Sequence, residues 1–185
     1  MKGIVFNLLE EVVTNEIGAD TWDTLLDDAG LEGAYTSLGS YGDDEVLALV
    51  AAASQRLDMP PQAVLRWFGQ RAIRILADRY PQFFARHEST IPFILTLNEI
   101  IHPEVRKLYP GADVPDFRFE SLNDDGLVME YVSARRMCGL ALGMIEGAAR
   151  HYGEQANVDE VQCMHRGASS CVTNMQFSRV AEHAA

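Results

Sequence analysis

Apolar side chains recur at three- and four-residue steps along the first part of the chain, the signature of helices that bury one face. Val5, Leu8, Leu9, Val12 and Val13 define such a face between Lys2 and Asn15. Asp20 is placed to cap a short helix that ends at Gly30, and Gly33 to Gly42 is a turn-rich loop. A third helix is predicted from Asp43 to Leu57, with Val46, Leu47, Leu49 and Val50 inward. Pro60 and Pro61 suit the start of a fourth, whose buried side is Val64, Trp67, Phe68, Ile75 and Leu76. Pro81 ends it, and Phe83 and Phe84 anchor a short turn. Ser89 then opens a helix whose apolar face reads Ile91, Leu95, His102, Val105 and Tyr109. One histidine therefore points where the core should be.

Beyond Pro115 the pattern changes. Phe117 to Leu122 and Leu127 to Ser133 are short β-like runs around Asn-Asp-Asp-Gly, a hairpin signal. Met137 to Tyr152 is one more helix, with Leu140, Met144 and Ile145 on one side. Val158 to Met164 and Cys171 to Phe177 read as a second hairpin, and the tail from 179 to 185 is expected to fray. These elements make an α+β fold, a helical N-terminal part packed on a C-terminal part of antiparallel sheet plus helices. There is no repeat and no clear linker, so a single domain is expected, with lobes of about 1–60 and 61–178.

Composition narrows the function classes. The 185 residues carry a formal net charge of -12, which argues against nucleic acid or an anionic membrane surface as partner. Hydrophobic residues make up 48%, enough for a sizeable core. No apolar run approaches the roughly 20 residues that span a bilayer. Met1 to Val13 reads as a helix rather than a signal peptide. Three cysteines are an odd number for a disulfide scaffold, and a reducing, cytoplasmic setting is the better reading.

A lone histidine on an apolar helix face is by default a core residue. A second feature changes its weight. Tyr131, Ser133 and Arg135 fall at i, i+2 and i+4, so in extended chain all three project from one face. A phenol, a hydroxyl and a guanidinium are convergent donors that suit a carboxylate. An imidazole for an axial iron bond and donors for propionates are what a haem pocket needs.

On these residues the chain resembles the haem nitric oxide/oxygen binding (H-NOX) family, the sensor module of soluble guanylate cyclases and of free-standing bacterial proteins. The motifs are His102 with Val105, Lys107 and the Tyr109-Pro110-Gly111 turn, then Pro115, then Tyr131-Val132-Ser133-Ala134-Arg135. The resemblance runs from Met1 to about Phe177. It implies haem b buried between the two lobes, His102 as proximal ligand, and Tyr131, Ser133 and Arg135 on the propionates. It further implies that Pro115 presses on the porphyrin from one side and Val5 from the other. Oxygen-binding relatives place a tyrosine, a tryptophan and an asparagine on the distal side. The matching positions here are Leu140, Leu9 and Ala72, with Met144 added one turn along the same helix. Losing a charge-assisted hydrogen bond costs bound oxygen about 1.5–3 kcal/mol. The resemblance therefore implies a pocket that takes NO and CO and disfavours oxygen. NO would weaken the Fe–His102 bond and shift one lobe against the other.

Cys138, Cys163 and Cys171, with His165 near, have the ligand types of a closed zinc site. Some bacterial members of the family carry zinc at the matching cysteines. This chain departs at the fourth ligand, where Glu160 stands in place of a histidine, so His165 and Glu160 are both candidates. Three free cysteines or a disulfide are the alternatives. The leading expectation is a non-catalytic NO sensor. With no signalling domain attached, it would regulate a separate protein such as a histidine kinase or a cyclic-di-GMP enzyme. A zinc-dependent cysteine redox sensor is the first competitor. A haem enzyme is the second, and its need for a polar distal group counts against it.

Overall fold

The computed structural model describes residues 1–180. Helix α1 (Gly3–Glu16) has no side-chain cap, and the Gly33–Gly42 loop supplies its acceptors instead: Gly3 and Ile4 donate to the carbonyls of Gly39 and Ser37 at 3.0 and 3.1 Å. Tyr35 from that loop stacks on Phe6 with ring centroids 4.1 Å apart. A Cβ at Gly3 would overlap the Thr36 carbonyl, so only glycine admits this approach. Helix α2 (Ala19–Ala29) ends at Gly30 in the left-handed region. Its N-cap is Gly18, and Asp20 sits in the first turn, favourable to the helix dipole without capping it. Helix α3 spans Asp43–Leu57. Leu47, expected inward, is 50% exposed, because the stripe set by Val46, Leu49 and Val50 is narrower than the apolar run in the sequence.

Helix α4 (Pro61–Arg79) is followed by α5 (Pro81–Phe84) and α6 (Thr90–Leu95). The helix expected to run from Ser89 through His102 is not continuous. A π-helical turn at Leu97–Ile101 separates α6 from α7 (His102–Leu108), and Leu95 turns outward at 47% exposure. Pro103 is the physical reason for the break. It lacks the N–H that an α-helix needs there, and its ring crowds the preceding turn.

Strands β1 (Asp116–Asn123) and β2 (Gly126–Val132) form the first hairpin. Helix α8 (Cys138–His151) follows, then β3 (Glu154–Gln162) and β4 (Cys171–Arg179). The two hairpins join into one antiparallel sheet of order β1-β2-β4-β3. The predicted tail begins too early: Arg179 pairs with Glu154, and only 181–185 lie outside the described residues.

Two apolar cores result. One gathers Phe6, Val12, Trp22, Leu49 and Phe68 from α1–α4. The other gathers Phe93, Ile94, Met129, Ile145 and Met175 from α6, α8 and the sheet. Leu76 of α4 and Met144 of α8 border both. These two helices cross at backbone contact. A Cβ on Gly139 or Gly143 would overlap the carbonyl oxygens of Gln62 or Arg66, and one on Gly69 would lie 2.5 Å from the Leu140 carbonyl. Glu146 locks the crossing by accepting from Arg66 at 2.9 and 2.5 Å and from Gln70 at 2.6 Å.

Candidate haem site

His102 is the first residue of α7, directly after the π turn. Its backbone N–H reaches five residues back to the Leu97 carbonyl. Its ring is half-buried and stacks on Phe117 of β1, with centroids 5.7 Å apart at 29°. Burial, reinforced by the positive charge of Arg106 and only partly opposed by Asp116, lowers its pKa to about 4. At neutral pH the imidazole is therefore uncharged, with a nitrogen lone pair available to a metal.

Tyr131 lies inside the sheet, only 2% exposed, and its phenol is pushed up by burial although Ser133 and the Met137 backbone hydrogen-bond it. Strand β2 stops at Val132, so Ser133 and Arg135 lie in the turn beyond it. Alternation nevertheless continues past the strand: residues 131, 133 and 135 are buried or half-buried, while 132, 134 and 136 are exposed. Ser133 Oγ accepts the Arg135 N–H at 3.3 Å. The Arg135 guanidinium, with its side chain 16% exposed, donates through Nε to Asp43 Oδ2 at 2.9 Å. Its Nη1 donates to the Asp113 carbonyl at 2.7 Å and pairs with Asp113 Oδ2 at 3.0 Å. Asp43 also accepts from the N-terminal ammonium at 2.7 Å. Burial alone would raise the Asp43 carboxyl, but the ammonium and Arg135 outweigh it and hold it below its usual value. Arg135 thus ties the start of α3 to the sheet lobe, and any further carboxylate must share it.

Asp43, Asp113 and Phe117 did not emerge as site residues from sequence. Asp43 and Arg135 are 92 positions apart, and no local pattern announces such a pairing. Val5 and Leu140 are half-buried apolar side chains at the edge of the helical core, with Met144 between the cores. Leu9 is 9% exposed and Ala72 is 0% exposed, both inside that core. Pro115 is half-buried, immediately before β1. Half-buried Leu97 and Ile101 of the π turn border the other core. A neutral imidazole, incompletely buried aliphatics and a guanidinium that a further carboxylate could share with Asp43 and Asp113 are the chemistry a flat apolar group with acidic edges calls for. Haem answers that description.

The three cysteines converge. All three sulfurs lie within 4.8 Å of one another and all three residues are buried. The Cys163 sulfur is 3.8 Å from that of Cys138 and 3.7 Å from that of Cys171, the separation of free thiols. Burial raises the thiols of Cys138 and Cys171. His165 and Glu160 do not join this group. His165 is exposed, with Nε2 2.7 Å from the Arg136 carbonyl oxygen, and Glu160 is exposed on β3. A polar side chain that does reach the group is Gln62, whose Oε1 is 3.5 Å from the Cys138 sulfur and 3.0 Å from the Gly139 nitrogen.

His102, half-buried against Phe117 of β1, offers a neutral nitrogen to a metal, and comparison with known proteins supplies the family. The family description Haem-NO-binding matches residues 2–160. An H-NOX protein from S. oneidensis in the Fe(II)NO ligation state superposes with a TM-score of 0.90 at 32% identity, over 97% of this chain and 100% of that one. The H-NOX from Shewanella woodyi in the Fe(II)CO state gives 0.80 at 31%, over 100% and 99%. The unliganded Fe(II) H-NOX protein from K. algicida gives 0.84 at 27%, over 97% and 98%. The chain belongs to the H-NOX family, whose members bind haem and serve as gas sensors rather than enzymes.

Proposed function

We propose that this chain is a haem-based nitric oxide sensor in which His102 is the proximal ligand and Tyr131, Ser133 and Arg135 hold the propionates of haem b. The observation that carries the reading is the half-buried imidazole kept neutral against Phe117 in a haem-NO-binding domain. Haem, when bound, would supply a ferrous iron able to take NO or CO. The protein's part is to hold an uncharged nitrogen ready, to shape the apolar walls and to convert a change at His102 into movement. Val5 and Pro115, on α1 and before β1, stand as the side chains that press on the group from the two lobes. Leu9, Ala72, Leu140 and Met144 form a distal wall without a hydrogen-bond donor, which favours NO and CO over oxygen. Arg135, shared with Asp43 and Asp113, is the joint through which the helical lobe feels the sheet lobe.

The output is a separate signalling protein, a histidine kinase or a cyclic-di-GMP enzyme, and the site of action is the cytoplasm. The formal charge of -12 favours a partner face that carries basic residues. No helix among the described residues is long and apolar enough to cross a membrane. The test is an absorption spectrum of the ferrous protein beside its His102→Gly variant. The variant should lose the histidine-ligated band and regain it when free imidazole is added.

The cysteine cluster favours a second reading, a zinc-binding redox sensor in which haem is secondary. Three buried sulfurs this close would hold zinc as thiolates, with Gln62 or water completing the shell. Cys163→Ala separates the two readings. If NO still changes the proteolysis pattern of the variant, the signal runs through haem. If haem still binds NO but the pattern no longer changes, the cysteines carry it.

A further inference from the structure

The π turn at Leu97–Ile101 carries more than a break in a helix. Ile101 and His102 donate five residues back, to the carbonyls of Thr96 and Leu97, so one extra residue is accommodated immediately before His102. An extra residue turns everything after it by about 100° relative to α6. A π turn of this kind is a rare single-turn insertion, found mostly at functional sites. Among the described residues no group hydrogen-bonds the His102 ring. What fixes that ring comes from outside α7. Asn98, inside the π turn, donates from Nδ2 to the Phe117 carbonyl at 2.6 Å. The Phe117 side chain is the one that stacks on the His102 imidazole. Phe117 is in turn paired across the sheet with Tyr131, their rings 5.6 Å apart.

We propose that Asn98 is the positioning residue for His102: its hydrogen bond pins the π turn to β1 and so holds the imidazole in one orientation against Phe117. This rests on the reading of His102 as the proximal ligand. The clamp joins three elements that must keep register for the axial bond to have a single strength. It also gives the imidazole a fixed resting place on Phe117. The π turn supplies the compliance and Asn98 sets its limit. Without the Asn98 amide, the turn loses its tie to β1, and the ring samples several planes.

The experiment compares the full chain with Asn98→Ala, with Asn98→Gln, which keeps a donor amide, and with Phe117→Leu, which removes the stacking ring but keeps the accepting carbonyl. In the ferrous haem-loaded proteins, resonance Raman spectroscopy reads the iron–histidine stretch. In the haem-free proteins, proton NMR reads the ring-current shift that Phe117 imposes on the His102 ring. Asn98→Ala should lower and broaden the stretch and shrink the ring-current shift, Asn98→Gln should recover part of both, and Phe117→Leu should reproduce the lowered, broadened stretch. A wild-type stretch that persists unchanged in position and width in both Asn98→Ala and Phe117→Leu overturns the positioning role. A wild type with no iron–histidine stretch at all overturns the assignment of His102 itself.

Discussion

Replacing Leu140 by tyrosine tests the distal wall most sharply. Leu140 is half-buried on α8, beside a core in which Leu9 is 9% and Ala72 is 0% exposed. The backbone there has nowhere to retreat, since a Cβ on Gly69 of α4 would already stand 2.5 Å from the Leu140 carbonyl. A phenol at 140 therefore cannot be accommodated by closing α8 further onto α4. Oxygen bound to ferrous iron carries negative charge, and one charge-assisted hydrogen bond to it is worth about 1.5–3 kcal/mol. That converts to about 10–150-fold tighter oxygen binding. Overpacking opposes this by about 1–3 kcal/mol, but it acts on the fold and on every ligand alike. The ratio of oxygen to CO affinity isolates the hydrogen bond. Flash photolysis of the CO complex in the presence of oxygen gives that ratio. The expected outcome is a rise of at least tenfold over wild type. An unchanged ratio in a folded, haem-loaded variant would refute the placement of Leu140 on the distal face.

Two other measurements probe the frame that holds the site. Gly143→Ala forces a methyl group into the Arg66 carbonyl, and overpacking of that kind costs about 1–3 kcal/mol. For a chain of this size the melting temperature should fall by about 2–12 °C, and an unchanged melt would show that α4 and α8 separate freely. Acid should loosen the same crossing. Burial alone would raise the Glu146 carboxyl, but hydrogen bonds from Arg66 and Gln70, with the charges of Arg66 and Arg150, hold it below its ordinary 4.5. A carboxyl lowered in the folded state stabilises above its unfolded pKa and loses that contribution as pH falls through its folded one. Melting temperatures should hold steady down to about pH 5 and then drop. Glu146→Gln should lower the neutral-pH value and flatten the acid limb, whereas an acid limb identical to wild type would remove Glu146 from the account.

Much of the frame can be read from local patterns. The spans of α3 and of the first hairpin, and the helix end at Gly30, follow from caps, turn residues and apolar periodicity that act over a few residues. His102 stood out because a polar residue on an apolar face is rare enough to notice. The π turn did not, because apolar spacing at three or four residues tolerates one inserted position without a visible break. Pro103 was the available signal. The grip of Asp43 and Asp113 on Arg135 was hidden for a different reason. It joins α3 to the turn after β2, and nothing local distinguishes Asp43 from a helix-starting acid. The cysteine cluster was legible as residue types but not as geometry: His165 faces the Arg136 carbonyl, and Gln62 arrives from another helix.

The central claim is that His102 makes a bond that NO undoes. Its most direct test is the absorption spectrum of the purified ferrous protein, recorded before and after addition of NO. The expected result is a coloured protein whose Soret band first matches a histidine-ligated ferrous haem and then shifts on NO to that of a haem without the histidine, with no shift in air. A colourless protein that cannot be reconstituted with haem, or a spectrum indifferent to NO, would contradict it.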